Sequence, residues 1–397
     1  MSIAVHPAKA GWTAAHLFIF KMKRKSESAG GKDMIRVLQC VNNMHRAGLE
    51  TMLMNYYRHI DRNQIQFDFL THRPERSDYD DEIEALGGKV YYAPRLYPQN
   101  LAAYFRYMKA FFREHPEYQI VHSHIDAMSF LPLLAAKRAK VPVRIAHSHN
   151  TAIDMDYKYI LKQLYRRCIP AAASDYCACG KEAGKFLFGS HDFTVLPNAI
   201  DAGKFTYDAG LRETVRKELK LQNKFVIGHV GRFSAQKNHV FLLEIFERIL
   251  RSNDAAQLLL IGTGEKEEEI KQRAAQMGID ARVLFMGSQN DVGRYYQAMD
   301  VFVMSSLFEG VPVVGIEAQY AGLPCVFSDK VPEEVAFSGL CRFVPLNETA
   351  DTWAEIVLES AQKERCAPDT ADSAYDIRNS AQLLMKYYID LAAEKTK

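Results

Sequence analysis

Two acids and two cations carry the chemistry this sequence could do. Glu309 and Glu317 lie within residues 305–324, SSLFEGVPVVGIEAQYAGLP, directly after the apolar run Val301–Met304. That run reads as a buried strand; Pro312 suits the first turn of a helix reaching about Ala321, with Gly322 and Pro324 ending it. Glu309 is thus expected on the loop at the carboxyl end of a strand, and Glu317 inside the following helix. Ligands of open α/β sheets bind at that end. A surface loop and an exposed helical acid fit the spacing equally well. Arg232 and Lys237 bracket a second loop. Residues 225–230 read as a strand that Gly231 ends. A helix starts near Asn238, its expected N-cap, with Val240, Leu243, Ile245, Phe246 and Ile249 on the apolar face. A glycine and two cations beside a helix N-terminus suit a diphosphate, which takes backbone N–H donors, the favourable end of the helix dipole and neutralising charge. Two solvated surface cations are the plainer alternative.

The order Gly231-Arg232…Lys237 and then, about seventy residues on, Glu309…Glu317 resembles the donor site of family-4 retaining glycosyltransferases of the GT-B fold. That family shows Gly-Arg-x-x-x-x-Lys followed by Glu-x7-Glu. Here Met304-Ser305 stands where the family has Pro-Ser. The resemblance runs on through Val195-Leu196-Pro197-Asn198-Ala199-Ile200-Asp201, Ile261-Gly262-Thr263-Gly264 and Ala321-Gly322-Leu323-Pro324, and spans roughly residues 34 to 390. It implies a sugar moved from a nucleotide diphosphate, with a UDP-sugar as the expected donor, to a hydroxyl acceptor. Arg232 and Lys237 would hold the diphosphate, Glu317 the ribose hydroxyls and Glu309 the sugar hydroxyls. Gly310 and Val311 would offer backbone donors. The family needs no protein nucleophile, metal or cofactor, because the departing phosphate oxygen takes the acceptor proton. Residues 47–51, 147–150 and 231–238 resemble in particular the bacterial capsule and exopolysaccharide enzymes, whose acceptors are lipid-linked saccharides at the cytoplasmic membrane face. Two rivals are a nucleotide-sugar epimerase of the same architecture and a non-catalytic nucleotide-sugar binding module.

The rest of the chain is read as the frame for these loops. With 397 residues and 48% hydrophobic content, it can fill two cores. Alternation of strands with helical patterns predicts an α/β protein of two Rossmann-like parallel sheets, the GT-B plan. The expected division is an acceptor-side domain over 34–196, completed by a last amphipathic helix within 375–397, and a donor-binding domain over 197–374. A net charge of +2 argues against a nucleic-acid partner. Seven cysteines, an odd number mostly inside apolar runs, fit free thiols in a reducing compartment and a cytoplasmic location. No apolar run reaches the ~18 to 20 residues of a membrane span. Residues 1–33 are expected to form a poorly ordered extension, with Met34 as an alternative initiator. Their basic cluster follows the apolar stretch, the reverse of a signal peptide.

Three further features bear on function. After a first strand, Arg46-Ala47-Gly48-Leu49-Glu50 opens a helix. The resembling family usually has Gly-Gly-x-Glu there, so phosphate contact is expected at Gly48. Two strands end in His122-Ser123-His124 and His147-Ser148-His149. Such pairs put both rings on one strand face and raise a metal reading, yet no acid or cysteine has matching spacing. The resemblance implies one donor-facing histidine, either His147 or His149, with His149 nearer the loop. Finally, residues 137–167 hold eight cations against Asp154 and Asp156, interleaved with tyrosines and leucines. That is either a patch for anionic lipid headgroups, making the protein peripheral on the inner membrane face, or a solvated helix.

Overall fold

The computed structural model describes residues 34–153, 157–365 and 373–395. The expectations for residues 1–33, and the residues Asp154, Asp156 and Cys366, lie outside the described residues. The described chain forms two compact units: one runs to Ala199 and resumes at Ala374, and the other is Ile200–Ser373.

The first unit is built on seven parallel strands: β1 (Ile35–Val41), β2 (Ile65–Thr71), β3 (Val90–Tyr92), β4 (Ile120–Ser123), β5 (Val143–Ser148), β6 (Asp175–Ala178) and β7 (Thr194–Val195). Their order is β3-β2-β1-β4-β5-β6-β7. Alternate residues of β1 go to opposite faces. Leu38 and Cys40 join one apolar cluster, and Val37 and Val41 join the other. Helices cover both faces, so these strands read as near-continuous apolar runs. The second cluster is completed by the terminal helix Ile377–Lys395, which buries Ile377, Leu384, Tyr388 and Leu391 against Val37 and Phe67.

The second unit carries β8 (Phe225–Val230), β9 (Ala256–Ile261), β10 (Val283–Phe285), β11 (Val301–Met304), β12 (Cys325–Ser328) and β13 (Cys341–Val344), in the order β10-β9-β8-β11-β12-β13. In both sheets the order reverses at one pair, β1/β4 and β8/β11. Diverging connections leave a crevice at the carboxyl ends of such a pair. The Gly48 loop follows β1, and the loops of Gly231 and Glu309 follow β8 and β11. Sequence position thus becomes spatial neighbourhood through topology alone.

Local details depart from the sequence expectations. Asn238 precedes the helix His239–Ser252, but it adopts a left-handed conformation (φ 54°) and its side chain makes no cap hydrogen bond. A short 3-10 turn, Ala235–Lys237, comes first; its final N–H, on Asn238, is donated to the Ala235 carbonyl. Pro312 caps the helix Val313–Tyr320 from outside rather than lying in its first turn. Strand β6 carries a weak local signal: Asp-Tyr-Cys-Ala is short and half polar, and pairing with both β5 and β7 makes it a strand.

Candidate active site

In the second unit, the loops after β8 and β11 are joined by hydrogen bonds. Leu307 N–H donates to the Gln236 carbonyl (2.8 Å), and Gln236 Nε2 donates to the Phe308 carbonyl (2.9 Å) and to Glu309 Oε2 (3.4 Å). Ser305 Oγ donates to the Asn238 carbonyl at 3.1 Å. Across this seam Lys237 Nζ meets Glu309 Oε1 at 2.5 Å, with the two side chains 14% and 7% exposed. The ion pair is therefore largely desolvated, and each charge depends on the other. Below it lie His229 and His239, both buried. Burial first, helped by the charge of Lys237, lowers them to about 4 and about 2, so both rings are neutral and add no competing cation.

A third loop, after β9, packs behind. Phe233 N–H donates to the Thr263 carbonyl, and Lys266 N–H donates to the Phe233 carbonyl. A Cβ on Gly262, whose φ is +138°, would lie 2.1 Å from the Gly231 carbonyl oxygen. The Gly262-Thr263-Gly264 turn thus has glycine where two backbones touch. Arg232, on the exposed side of the loop, pairs with Glu265 at 3.1 Å and is 73% exposed. A pair in that much solvent contributes little and leaves the guanidinium mobile. Gly310 and Val311 are buried between Glu309 and the Val313–Tyr320 helix.

Glu317 does not share the Lys237–Glu309 pair. It sits buried on its helix and accepts from Tyr296 Oη at 2.8 Å. Burial raises its carboxyl to about 7, and the Tyr296 hydrogen bond opposes that rise. Without a ligand, Lys237 and Glu309 are one pair, Arg232 is turned to Glu265, and Glu317 answers to Tyr296. The apolar run hid this, because a helix buried on nearly every side puts even its acid inside.

In the first unit the four strand-end histidines form one cluster. His122 Nε2 lies 3.0 Å from His147 Nδ1, and His124 Nδ1 lies 3.0 Å from His149 Nε2. The rings of His147 and His149 stack at 4.0 Å. His147 is buried and its Nε2 has no hydrogen-bond partner among the described residues; His149 is half-buried. Burial lowers all four imidazoles, His149 to about 3. Ligand-capable nitrogens of His122, His124 and His147 lie within 4.8 Å of one another. Both nitrogens of His122 and of His124 are already committed to hydrogen bonds, so a metal would have to break them. Gly48 opens the helix Gly48–His59 on the surface with nothing within 4 Å of its Cβ position. Two residues on, Glu50 is buried and its carboxyl is raised by burial to about 7.

A family profile described as group 1 glycosyl transferases matches residues 212–364, and one described as glycosyltransferase family 4 matches residues 46–204. A Bacillus subtilis protein named as a glycosyltransferase, EpsF, is 37% identical over 375 residues, covering 91% of this chain and 97% of that one. The chain belongs to the family-4 glycosyltransferases. An Escherichia coli enzyme, UDP-Gal:alpha-D-GlcNAc-diphosphoundecaprenol alpha-1,3-galactosyltransferase, is 31% identical over 228 residues, covering 54% of this chain and 58% of its own length. The fold is GT-B. Anabaena HepE, solved with UDP and glucose, superposes with a TM-score of 0.69 at 17% identity, over 91% of this chain and 98% of that one. WaaG, a glycosyltransferase involved in lipopolysaccharide biosynthesis, gives 0.62 at 15% identity, over 89% and 95%.

In this glycosyltransferase three polar residues of the candidate sites escaped sequence reasoning: Tyr296, Gln39 and Tyr388. Each becomes significant only through a partner well separated in sequence, such as Gln39 Nε2 donating to Tyr388 Oη at 3.2 Å. Of the cations in 137–167, Arg144 donates to the carbonyls of Val141, Pro142 and Ala172, and Lys137 to that of Ala171. Arg138 packs over Phe105. Those three are structural, which shrinks the patch. Along the helix Tyr159–Ala172, however, Ile160 is 84% and Leu164 55% exposed, beside Tyr157 at 81%.

Proposed function

We propose that the protein is a retaining glycosyltransferase that moves a sugar from a nucleotide diphosphate, UDP in the first instance, to a hydroxyl of a lipid-linked or oligosaccharide acceptor in exopolysaccharide or capsule assembly. The observation that carries this reading is the desolvated Lys237–Glu309 pair at the β8/β11 switch point, beside Gly231. Glu309 holds the ammonium in place; the ammonium, with Arg232 swung from Glu265, neutralises the diphosphate as the glycosidic bond breaks. The donor lies on the 200–373 unit and the acceptor on the other. Glu317 accepts from ribose hydroxyls, Glu309 from sugar hydroxyls, and the backbone of Gly310 and Val311 donates near the sugar. Gly48 allows close approach of donor phosphate or acceptor. His149, or His147 beside it, contacts the sugar. The departing phosphate oxygen takes the acceptor proton on the face it leaves, so no protein nucleophile, metal or cofactor takes part.

UDP and the lipid-linked acceptor are supported by the name of the Escherichia coli relative, which carries both. Peripheral contact with anionic lipid is supported by Ile160 and Leu164 standing exposed among Lys162, Arg166 and Arg167. Among the described residues no helix is long and apolar enough to cross a membrane.

The test is a panel of nucleotide sugars, read by thermal stabilisation and by nucleotide release with and without diphosphoundecaprenol-linked saccharide. A UDP-sugar should stabilise the protein and release UDP faster when acceptor is present. Epimerised free donor would move the assignment to an epimerase, and stabilisation without release would reduce it to a binding module.

A further inference from the structure

The histidine cluster is closed at its inner end by one amide. Gln39, fully buried on β1, directs Oε1 to His124 Nε2 (2.8 Å) and Nε2 to Tyr388 Oη (3.2 Å). Tyr388 Oη in turn lies 2.7 Å from His122 Nδ1. An amide oxygen only accepts and an amide nitrogen only donates, whereas a neutral imidazole has one of each. These rules propagate outward, because among the described residues the Tyr388 hydroxyl proton has only His122 Nδ1 as an acceptor. His124 must carry its proton on Nε2, which leaves Nδ1 to accept from His149 Nε2–H. On the other arm Tyr388 accepts from Gln39 and donates its own proton to His122 Nδ1. His122 then donates from Nε2 to His147 Nδ1, and His147 carries its proton on Nε2, the buried atom with no partner among the described residues. Turning the Gln39 amide over would reverse every one of these bonds.

We infer that Gln39 is a positioning residue that fixes all four histidines in the Nε2–H form, so that His147 ends its arm as a donor and His149 ends its arm with an Nδ1 lone pair. A ring that can both give and take a hydrogen bond discriminates poorly. One held in a single form presents a fixed pattern to whatever hydroxyl or oxygen reaches it. Burial keeps the rings neutral across the physiological range, so the pattern does not blur with pH. The consequence for sugar recognition rests on the transferase reading; the proton arrangement itself does not.

The experiment is two-bond 1H–15N correlation NMR on the full chain labelled at histidine, with signals assigned by single substitutions, at pH 7 and without substrate. All four rings should show the Nε2–H pattern. The reversed set, with Nδ1–H on all four, or a cationic ring among them, would overturn the inference. So would zinc that stays with the protein and occupies these nitrogens, since metal ligation needs lone pairs that the chain has already used. In Gln39→Met the amide no longer chooses, and the four signals should move towards mixed forms; four unchanged rings would show that Gln39 sets nothing. Tyr388→Phe provides a milder variant, expected to disturb His122 and His147 while leaving His124 and His149 as they are. Correct tautomers in a protein that turns over no nucleotide sugar would refute the transferase reading and leave this one standing.

Discussion

Replacing Lys237 by Met tests the donor site most directly, because it separates stability from chemistry. The methionine keeps most of the stem's bulk and removes the charge that faces Glu309 at 2.5 Å. At an effective dielectric of about 20, unit charges this close attract by roughly 4–7 kcal/mol. Desolvation offsets much of that in the intact pair, but breaking the pair strands a carboxylate that is 7% exposed, which costs about 3 kcal/mol. For a unit of this size that corresponds to a Tm lower by about 6–12 °C. Glu309→Gln alone should cost a similar amount, since it strands the ammonium. The double variant should cost no more than either single one, giving a coupling energy of about 3 kcal/mol in urea unfolding. Turnover should behave differently: Lys237→Met and the double variant both lose about a hundredfold or more, because the diphosphate cation is gone in each. Additive stabilities, with coupling under about 0.5 kcal/mol, would show that the pair does not hold the loops together. Recovered turnover in the double variant would show that Lys237 serves only the fold, and near wild-type turnover in Lys237→Met would remove it from the donor site.

Other outcomes follow from single features. Glu317 is held up to about 7 in the folded chain against 4.5 for a free side chain. Its stabilising contribution is therefore full below about 4.5 and lost as pH rises to 7. Glu317→Gln should flatten the pH dependence of urea stability over that window; an unchanged slope would contradict the burial argument. Ribose hydroxyls favour the carboxylate form, so nucleotide affinity by calorimetry should strengthen as pH rises through 7 in the wild type and not in Glu317→Gln. Gly262→Ala should cost at least about 2 kcal/mol through positive φ and the clash with the Gly231 carbonyl; stability within 0.5 kcal/mol, the ordinary range for harmless substitutions, would mean the loops separate easily. Ile160→Ser with Leu164→Ser should weaken sedimentation with anionic vesicles by at least about tenfold, since one apolar side chain is worth roughly 1.5 kcal/mol or more. Equal binding would end the membrane assignment.

Much of the Gly231–Lys237 loop was legible because its pattern is local. A strand that ends in Gly231, a cation five residues after Arg232, and an acid just past an apolar run are written in consecutive letters, and period and turn residues place them at strand ends. The parallel architecture was legible for the same reason, since alternation of the two periods leaves few other arrangements. What the letters do not contain is which strand ends meet. That Lys237 closes on Glu309, that Glu317 turns to Tyr296, and that four histidines from two strands become one chain anchored by Gln39 and Tyr388 follow from strand order and from the return of the last helix. Burial is a property of the packed whole as well. The same carboxyl or imidazole titrates ordinarily on a surface and is pushed towards its neutral form in a core, and only the tertiary structure decides which of the two it is.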